Sequence, residues 1–363
     1  MTRVVLAPDS FKSSLSAARA AEAMAEGFRR VRPGAMLECR PQADGGEGTI
    51  DAVRAARPDA VVRTTTVVLP GGPHEARWLL LGDGTAVVEL AECCGLPLVG
   101  TGDPVGADSA PLGVVLRAAR GAPARRIILG LGGSASTDGG AGCLRELGVR
   151  LSGPAGRDVP PGAAGLAVVA GADAADLLEP PPGGLLVLCD VDVPLFGPRG
   201  AATVFGPQKG AAPALVPVLD DALRRWANVV GGEPEAPGAG AAGGIGYGLS
   251  AFWPATMVSG AEYLSELSGL PDRVAGAELV VTGEGRHDEQ SYAGKVTGHV
   301  VRLAERHGVP AAVIAGSVTV RRPEVRMVGL VALAGSEREA MRRPAHYLRL
   351  AAARLAAGLP HAG

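Results

Sequence analysis

Lysine is scarce in this 363-residue sequence. Only Lys12, Lys209 and Lys295 occur, among 35 basic residues in all. Where arginine fills almost every basic position, a surviving lysine marks a place that needs a compact ammonium with three rotatable donors. Aromatic residues are few as well, with 5 Phe, 3 Trp and 4 Tyr, so the core must be aliphatic. An excess of one charge is missing: Lys+Arg 35 against Asp+Glu 37 leaves a net charge of −2. That balance excludes a basic nucleic-acid face and an acidic tail. No run of about 20 apolar residues is free of charges and glycine clusters, so no membrane span is expected. The N-terminal apolar run, Val4 to Ala7, is too short for a signal-peptide core. Cys39, Cys93, Cys94, Cys143 and Cys189 are odd in number, irregularly spaced and without a CxxC pair. They argue against a disulfide framework or a zinc site and for a reducing cytoplasm. The histidines, His74, His287, His299, His307, His346 and His361, show no HxH or HExxH spacing.

What is present is a chain with 47% hydrophobic residues, long enough for about two domains. Residues 3–7 read as a buried strand, followed by a loop and a helix opening at Ser16, a good N-cap. Ala17, Ala20, Ala21, Met24, Phe28 and Val31 form its apolar stripe. A second strand lies near 36–41, and a second helix runs to about Ala56. The far end repeats the alternation, with strands at 278–282, 311–315 and 326–334 and helices at 294–306 and 337–357. Neither end alone holds enough strands for a good sheet. Joined, they give five strands with helices on both faces, a flavodoxin-like layout.

The expected fold is therefore α/β with two domains. Residues 1–61 and 269–363 make a discontinuous flavodoxin-like parallel-sheet domain. Residues 62–268 make an inserted mixed α/β domain, with the active site expected in the cleft between the two. In the insert, 62–69, 75–82 and 85–91 read as an antiparallel meander, with Asp83-Gly84 as a hairpin signal. The Pro/Gly-rich stretches 153–165 and 179–184 read as surface loops.

Several polar clusters follow apolar strands directly: Asp9-Ser10-Phe11-Lys12, Asp44-Gly45-Gly46-Glu47, Gly283-Glu284-Gly285-Arg286, Gly132-Gly133-Ser134 and Asp190-Val191-Asp192. Open α/β sheets bind ligands outside the carboxyl ends of their strands. Gly132, Gly133 and Ser134 join a strand to a helix, where bare backbone N–H groups and a helix N-terminus suit a phosphate, and where a tight turn is the plainer reading. Asp190 follows the apolar strand 185–189. It is placed to accept a proton from an alcohol or to hold Mg²⁺. Gly238, Gly240 and Gly243 spell GxGxxG, but 232–237 is not a strand, so the dinucleotide reading lacks its required context. A loop approaching a ligand remains the alternative for Gly240 and Gly243. Carboxylates, glycine loops and lone lysines together suit phosphoryl transfer. There is no GxxxxGK[ST] and no protein-kinase motif set. The residues alone lead to a small-molecule phosphotransferase, or another Mg²⁺-dependent enzyme acting on anions.

Seven segments then carry a resemblance: APDSFKSSLSA (7–17), ADGGEGT (43–49), GLGGSASTDGGAG (130–142), CDVDVPL (189–195), FGPQKGA (205–211), PGAGAAGGIG (237–246) and TGEGRHDEQSYAGK (282–295). In this order, from about residue 3 to 335, the sequence resembles the bacterial glycerate kinase family. All three lysines fall inside these segments. The resemblance implies transfer of the γ-phosphoryl of ATP to D-glycerate with Mg²⁺. The product would be 2-phosphoglycerate, with 3-phosphoglycerate the other outcome.

On that reading Asp190 and Lys12 are the catalytic candidates. Asp9, Ser10, Asp44, Glu47, Arg286 and Lys295 are the substrate-binding ones. Gly132, Gly133, Ser134, Lys209, Gly240 and Gly243 would bind nucleotide, and Asp190 and Glu284 would hold metal. The partners would be glycerate and ATP, with neither nucleic acid nor membrane. The sequence departs from the family pattern at Ser13 (usually Gly), Val193 (usually Asn), His287 (usually aliphatic) and Thr297 (usually Pro). The competing readings are a kinase of another small hydroxy acid, an NAD-dependent hydroxy-acid dehydrogenase and a non-catalytic binding protein that kept the fold.

Overall fold

The structure is a computed structural model that describes residues 2–12, 14–292 and 294–359. Ser13 and His361, singled out above, lie outside the described residues. The chain divides into two units. The first comprises Met1–Asp44, Asp51–Pro58 and Ser259–Gly363, and the second Gly45–Ile50 and Asp59–Val258.

The first unit holds five parallel strands. Across the sheet they run Arg326–Gly329, Ala311–Val318, Leu279–His287, Arg3–Leu6 and Met36–Cys39. Counted along the chain this is the order 2-1-3-4-5 of flavodoxin-like sheets. Val4 pairs with Leu279, Val5 with Val280 and Leu6 with Val281. Because alternate residues face opposite sides, the two faces feed two cores. Val4, Leu6, Val281 and Ile314 pack with Met24, Phe28 and Leu348 on one side. Val5 and Val280 pack with Leu270, Val300 and Leu303 on the other. Such burial on both faces is why these strands read as unbroken aliphatic runs. The Ala17–Val31 helix opens at Ser16, whose side chain accepts from the Arg19 N–H at 3.4 Å.

Two sequence expectations are corrected here. Gly283 to Arg286 does not form a loop after its strand but continues it to His287. The neighbouring strand also runs long, to Val318, and pairs with it through Arg286 and His287. Glycines allow the close approach: a Cβ on Gly283 would lie 2.1 Å from the Ile314 carbonyl oxygen, and one on Gly316 would lie 2.2 Å from that of Gly285. The run 326–334 is not one strand. It turns helical at Leu330–Ala334, a distinction that a short apolar run cannot signal by periodicity.

The second unit is built on a six-stranded sheet. Val61–Leu69, Gly72–Leu80 and Thr85–Glu89 form the antiparallel meander. Arg126–Gly130, Leu185–Leu188 and Ala255–Val258 then add in parallel. A short antiparallel pair, Arg150–Ser152 with Gly171–Asp173, has no counterpart in the sequence reading. Within 153–165, expected as surface loop, Gly162 opens the short helix Gly162–Leu166, which buries Ala163 and Leu166. Among the described residues no helix is long and apolar enough to cross a membrane.

The helices Ala17–Val31 and Pro344–Ala357 touch at Gly27, where a Cβ would sit 2.2 Å from the Arg349 carbonyl oxygen and 2.9 Å from the Ala352 Cβ. Alanine gains about 1 kcal/mol of helix propensity over glycine. The clash is with backbone, which cannot rotate away, and overpacking of this kind costs about 1–3 kcal/mol. Gly27→Ala is therefore expected to lower the melting temperature by several degrees, read by circular dichroism. An unchanged or higher melting temperature would refute this close contact.

Candidate active site

The carboxyl ends of the first unit's strands open on a cavity of about 530 Å³. Seven of the sequence candidates line it: Asp9, Ser10, Lys12, Asp44, Glu284, Arg286 and Lys295. The 8–12 loop is held in place by its backbone, since the Asp9 N–H donates to the Gly283 carbonyl at 2.8 Å. Asp9 is buried, and its Oδ1 accepts from the Ser10 N–H at 2.6 Å. Burial, and next the neighbouring Asp44 carboxylate, push the Asp9 pKa well above the usual carboxylate range. The Ser10 side chain is 7% exposed, and its hydroxyl oxygen has no hydrogen-bond partner among the described residues. A buried orphan hydroxyl in a polar cavity calls for a ligand or a water.

Lys12 stands exposed at the rim. Lys295 occupies the N-cap position of the Val296–Arg306 helix, and the Arg286 Nε lies 3.6 Å from Asp288 Oδ2. Glu284 is 6% exposed and bonds through Oε1 to His287 Nδ1 at 2.8 Å. An apolar wall of Leu330, Val331, Ala340, Met341 and Pro344 completes the cavity.

The remaining candidates belong to the second unit. Glu47 is exposed. Asp190 is half-buried, beside Cys189, whose N–H bonds the Val258 carbonyl. Gly132 donates its N–H to the Gly45 carbonyl at 3.0 Å, and a Cβ there would meet the Gly46 Cα at 2.3 Å. Gly133 adopts φ +81°. Lys209 is not a free surface ammonium. It is 2% exposed, and its Nζ donates to Ser134 Oγ at 2.9 Å and to the Ser136 carbonyl at 2.5 Å. Burial lowers its pKa to about 8. Gly243 makes room for this contact, because a Cβ there would stand 2.2 Å from the Ser136 carbonyl oxygen and 2.9 Å from Lys209 Nζ. Gly240 bonds the Val193 carbonyl at 2.8 Å. The residues before these glycines, 232–237, form no strand, so the dinucleotide motif lacks its context.

Two organising carboxylates escaped the sequence reading. Asp138, fully buried, accepts from the Ser109 N–H and hydroxyl, the Ser136 hydroxyl and the N–H groups of Gly140 and Gly142. Its signal is the Asp-Gly-Gly that follows the loop. Glu89 accepts from the N–H groups of Gly48 and Ile50. It ends an apolar strand, the same placement that singled out Asp9 and Asp190.

Among the described residues, no group of three or more His, Cys, Asp or Glu side chains could hold a metal unaided. Mg²⁺ in a phosphoryl-transfer site takes one or two carboxylates and completes its shell with substrate phosphates and water. The cavity's carboxylates are hard oxygen donors of that kind.

The parallel sheet, with charged and orphaned polar groups at its carboxyl edge, defines an α/β protein with a polar cavity of small-molecule size. The chain belongs to the glycerate kinase family, whose model matches residues 4–359. It is 39% identical over 347 residues to a glycerate kinase of Bacillus subtilis, covering 91% of this chain and 89% of that protein. It is 40% identical over 326 residues to the glycerate 2-kinase of Escherichia coli K12, covering 87% and 86%. A Salmonella typhimurium LT2 crystal structure described as a glycerate kinase 2 superposes with a TM-score of 0.80 at 37% identity, covering 98% of this chain and 97% of that one.

The buried ammonium has a measurable signature. Below about pH 8 the folded and unfolded chains both hold the Lys209 proton. Between about 8 and the ordinary 10.5, only the unfolded chain does. Stability from this group therefore rises with pH across that window. The melting temperature of wild type minus that of Lys209→Met is expected to increase from pH 8 to 10. A flat or falling difference would show that Lys209 is not a desolvated cation.

Proposed function

We propose that the protein transfers the γ-phosphoryl of ATP to D-glycerate, giving 2-phosphoglycerate, in a reducing cytoplasm. The observation that carries this reading is the orphaned Ser10 hydroxyl beside Asp9, in a cavity with three cationic side chains. Lys12, Arg286 and Lys295 complement the glycerate carboxylate, and Ser10 bonds one of the acid's hydroxyls. Asp9 serves as proton acceptor. Its neutral form is favoured by burial and by Asp44, so it is a stronger base than an ordinary carboxylate. As the substrate oxygen bonds to phosphorus, its proton passes to Asp9, and the bond from the γ-phosphorus to the bridging oxygen breaks, releasing ADP.

In the second unit, the 130–136 loop takes the polyphosphate. Ser134 accepts from Lys209, which leaves its own hydroxyl proton free to donate to a phosphate oxygen. Lys209 lies beneath the loop and braces it, while Gly240 and Gly243 shape the backbone next to it. Glu284 offers a carboxylate for Mg²⁺, with Asp190 the alternative from the second unit. When bound, the metal neutralises charge on the polyphosphate.

The test is a coupled ADP-release assay with D-glycerate, tartronate and hydroxypyruvate, followed by phosphorus NMR of the product. Asp9→Asn is expected to melt like wild type and to lose about 10²–10⁴-fold in kcat. Asp190→Asn decides between the two metal candidates, because a higher Mg²⁺ requirement there would move the metal from Glu284 to Asp190. If Asp9→Asn keeps kcat within about threefold, the base is elsewhere and Asp190 takes its place. ADP release with another acid but not with glycerate would replace the substrate.

A further inference from the structure

His287 is fully buried at the end of the Leu279–His287 strand. A buried imidazole at such a position must satisfy both ring nitrogens. Here it does. Nδ1 lies 2.8 Å from Glu284 Oε1 and Nε2 lies 3.0 Å from the Tyr292 hydroxyl. A carboxylate can only accept, so Nδ1 carries the proton; in the neutral ring, Nε2 then accepts from the phenol. The His287 carbonyl is held by the Thr319 N–H at 2.9 Å and hydroxyl at 3.1 Å. Tyr292 is fixed in turn. The Arg322 guanidinium sits 3.8 Å from its ring centroid, and Arg302 donates to its carbonyl at 2.8 Å. The chain from Arg322 through Tyr292 and His287 ends on the one carboxylate of the set that also lines the cavity, Glu284.

We propose that His287 is a positioning residue: it locks one oxygen of Glu284 and so presents the other to the metal held in the cavity. The inference rests on the metal role given to Glu284 above. A carboxylate free to rotate must be ordered when the ion binds, whereas one already tied at Oε1 is preorganised. Hydrogen bonds to metal-ligating groups are commonly worth about 10–100-fold in metal affinity. The histidine thus tightens the site without adding a ligand.

The experiment compares His287→Leu, His287→Asn and Tyr292→Phe in the full chain. Mn²⁺ binding in the presence of ADP is titrated by electron paramagnetic resonance, and the Mg²⁺ dependence of turnover is measured alongside. His287→Leu is expected to weaken Mn²⁺ binding about tenfold and to raise the half-saturating Mg²⁺ to match, with the KM for glycerate unchanged. His287→Asn, which can still donate to Glu284, is expected to restore most of the loss. Tyr292→Phe should give a smaller shift, and it carries the test alone if His287→Leu does not fold. Nitrogen NMR of the labelled imidazole should show the Nδ1–H tautomer.

Unchanged Mn²⁺ binding in a folded His287→Leu would overturn the proposal. So would an His287→Asn variant as weak as His287→Leu, or a shift confined to the glycerate KM. Failure of the wild type to phosphorylate glycerate would strike the functional reading alone, since the Mn²⁺ titration and the NMR signature need no turnover.

Discussion

The parallel pairing of Arg3–Leu6 with Leu279–His287 is the constraint on which the first unit rests. It joins residues about 275 positions apart through only three matched pairs, Val4 with Leu279, Val5 with Val280 and Leu6 with Val281. The two strands end at the same edge, so the loop after the first and the long second half of the other meet there. The pairing continues past the strand end, where the Ala7 N–H bonds the Val281 carbonyl and the Asp9 N–H bonds that of Gly283. The Thr282 hydroxyl reaches back to the Ala7 carbonyl. A slip of one residue would turn Val4 and Leu6 to the wrong core and carry Asp9 and Ser10 away from Glu284. The sheet's register and the position of the cavity's reactive groups are thus one structural fact.

In the second unit the corresponding role falls to a buried carboxylate and a buried ammonium. Asp138 gathers the N–H groups and hydroxyls of the 136–142 segment and Ser109, while Lys209 holds Ser134 and the Ser136 carbonyl from the other side. Neither charge is free to solvent, and each would be costly alone. Satisfied by several bonds each, they fix a glycine-rich loop that has few side chains of its own to pack. Loop shape here comes from electrostatics and backbone fit: Gly130 and Gly132 accept the backbone of Gly45 and Gly46 at distances that no Cβ would permit.

How far the sequence disclosed this depends on what each residue's evidence was. Strand–helix alternation at both ends was legible because buried parallel strands are unbroken aliphatic runs, and their joining followed from strand number. Asp9, Ser10, Lys12 and Asp44 were legible because each lies just beyond such a run, and Lys295 because lysine is rare. Glu284 and Arg286 were found by a rule that misplaced them, since they sit inside a strand and not after it. What lengthens that strand is the partner at Ala311–Val318, which no local pattern announces. Lys209 was singled out by its rarity, but rarity says nothing about direction, and the ammonium points into the protein under the loop. Asp138 was passed over because it lies eight residues beyond its strand, Arg126–Gly130, and not directly after it. Its five donors, from four residues, come together only after Ser109, 29 positions away, packs against it. His287 was visible as a departure from the family pattern, and its meaning appeared only when Tyr292 and Glu284 were seen on its two nitrogens.

Two of the buried groups with shifted protonation, Asp9 and Lys209, are displaced for the same reason and in opposite senses. Burial disfavours whichever form is charged, so the carboxyl rises and the ammonium falls. Each is brought toward neutrality and made a readier partner in proton exchange than its exposed counterpart. On the proposed reading the raised Asp9 carboxyl is the acceptor for the substrate's alcohol proton. For Lys209 the nearby Asp138 opposes the shift and keeps the ammonium charged at neutral pH. A cation held this way under the loop adds positive potential through a medium that screens little. On the proposed reading this fixed field takes the place of a mobile lysine contact, which suits a reaction whose catalysis lies mostly in positioning and charge.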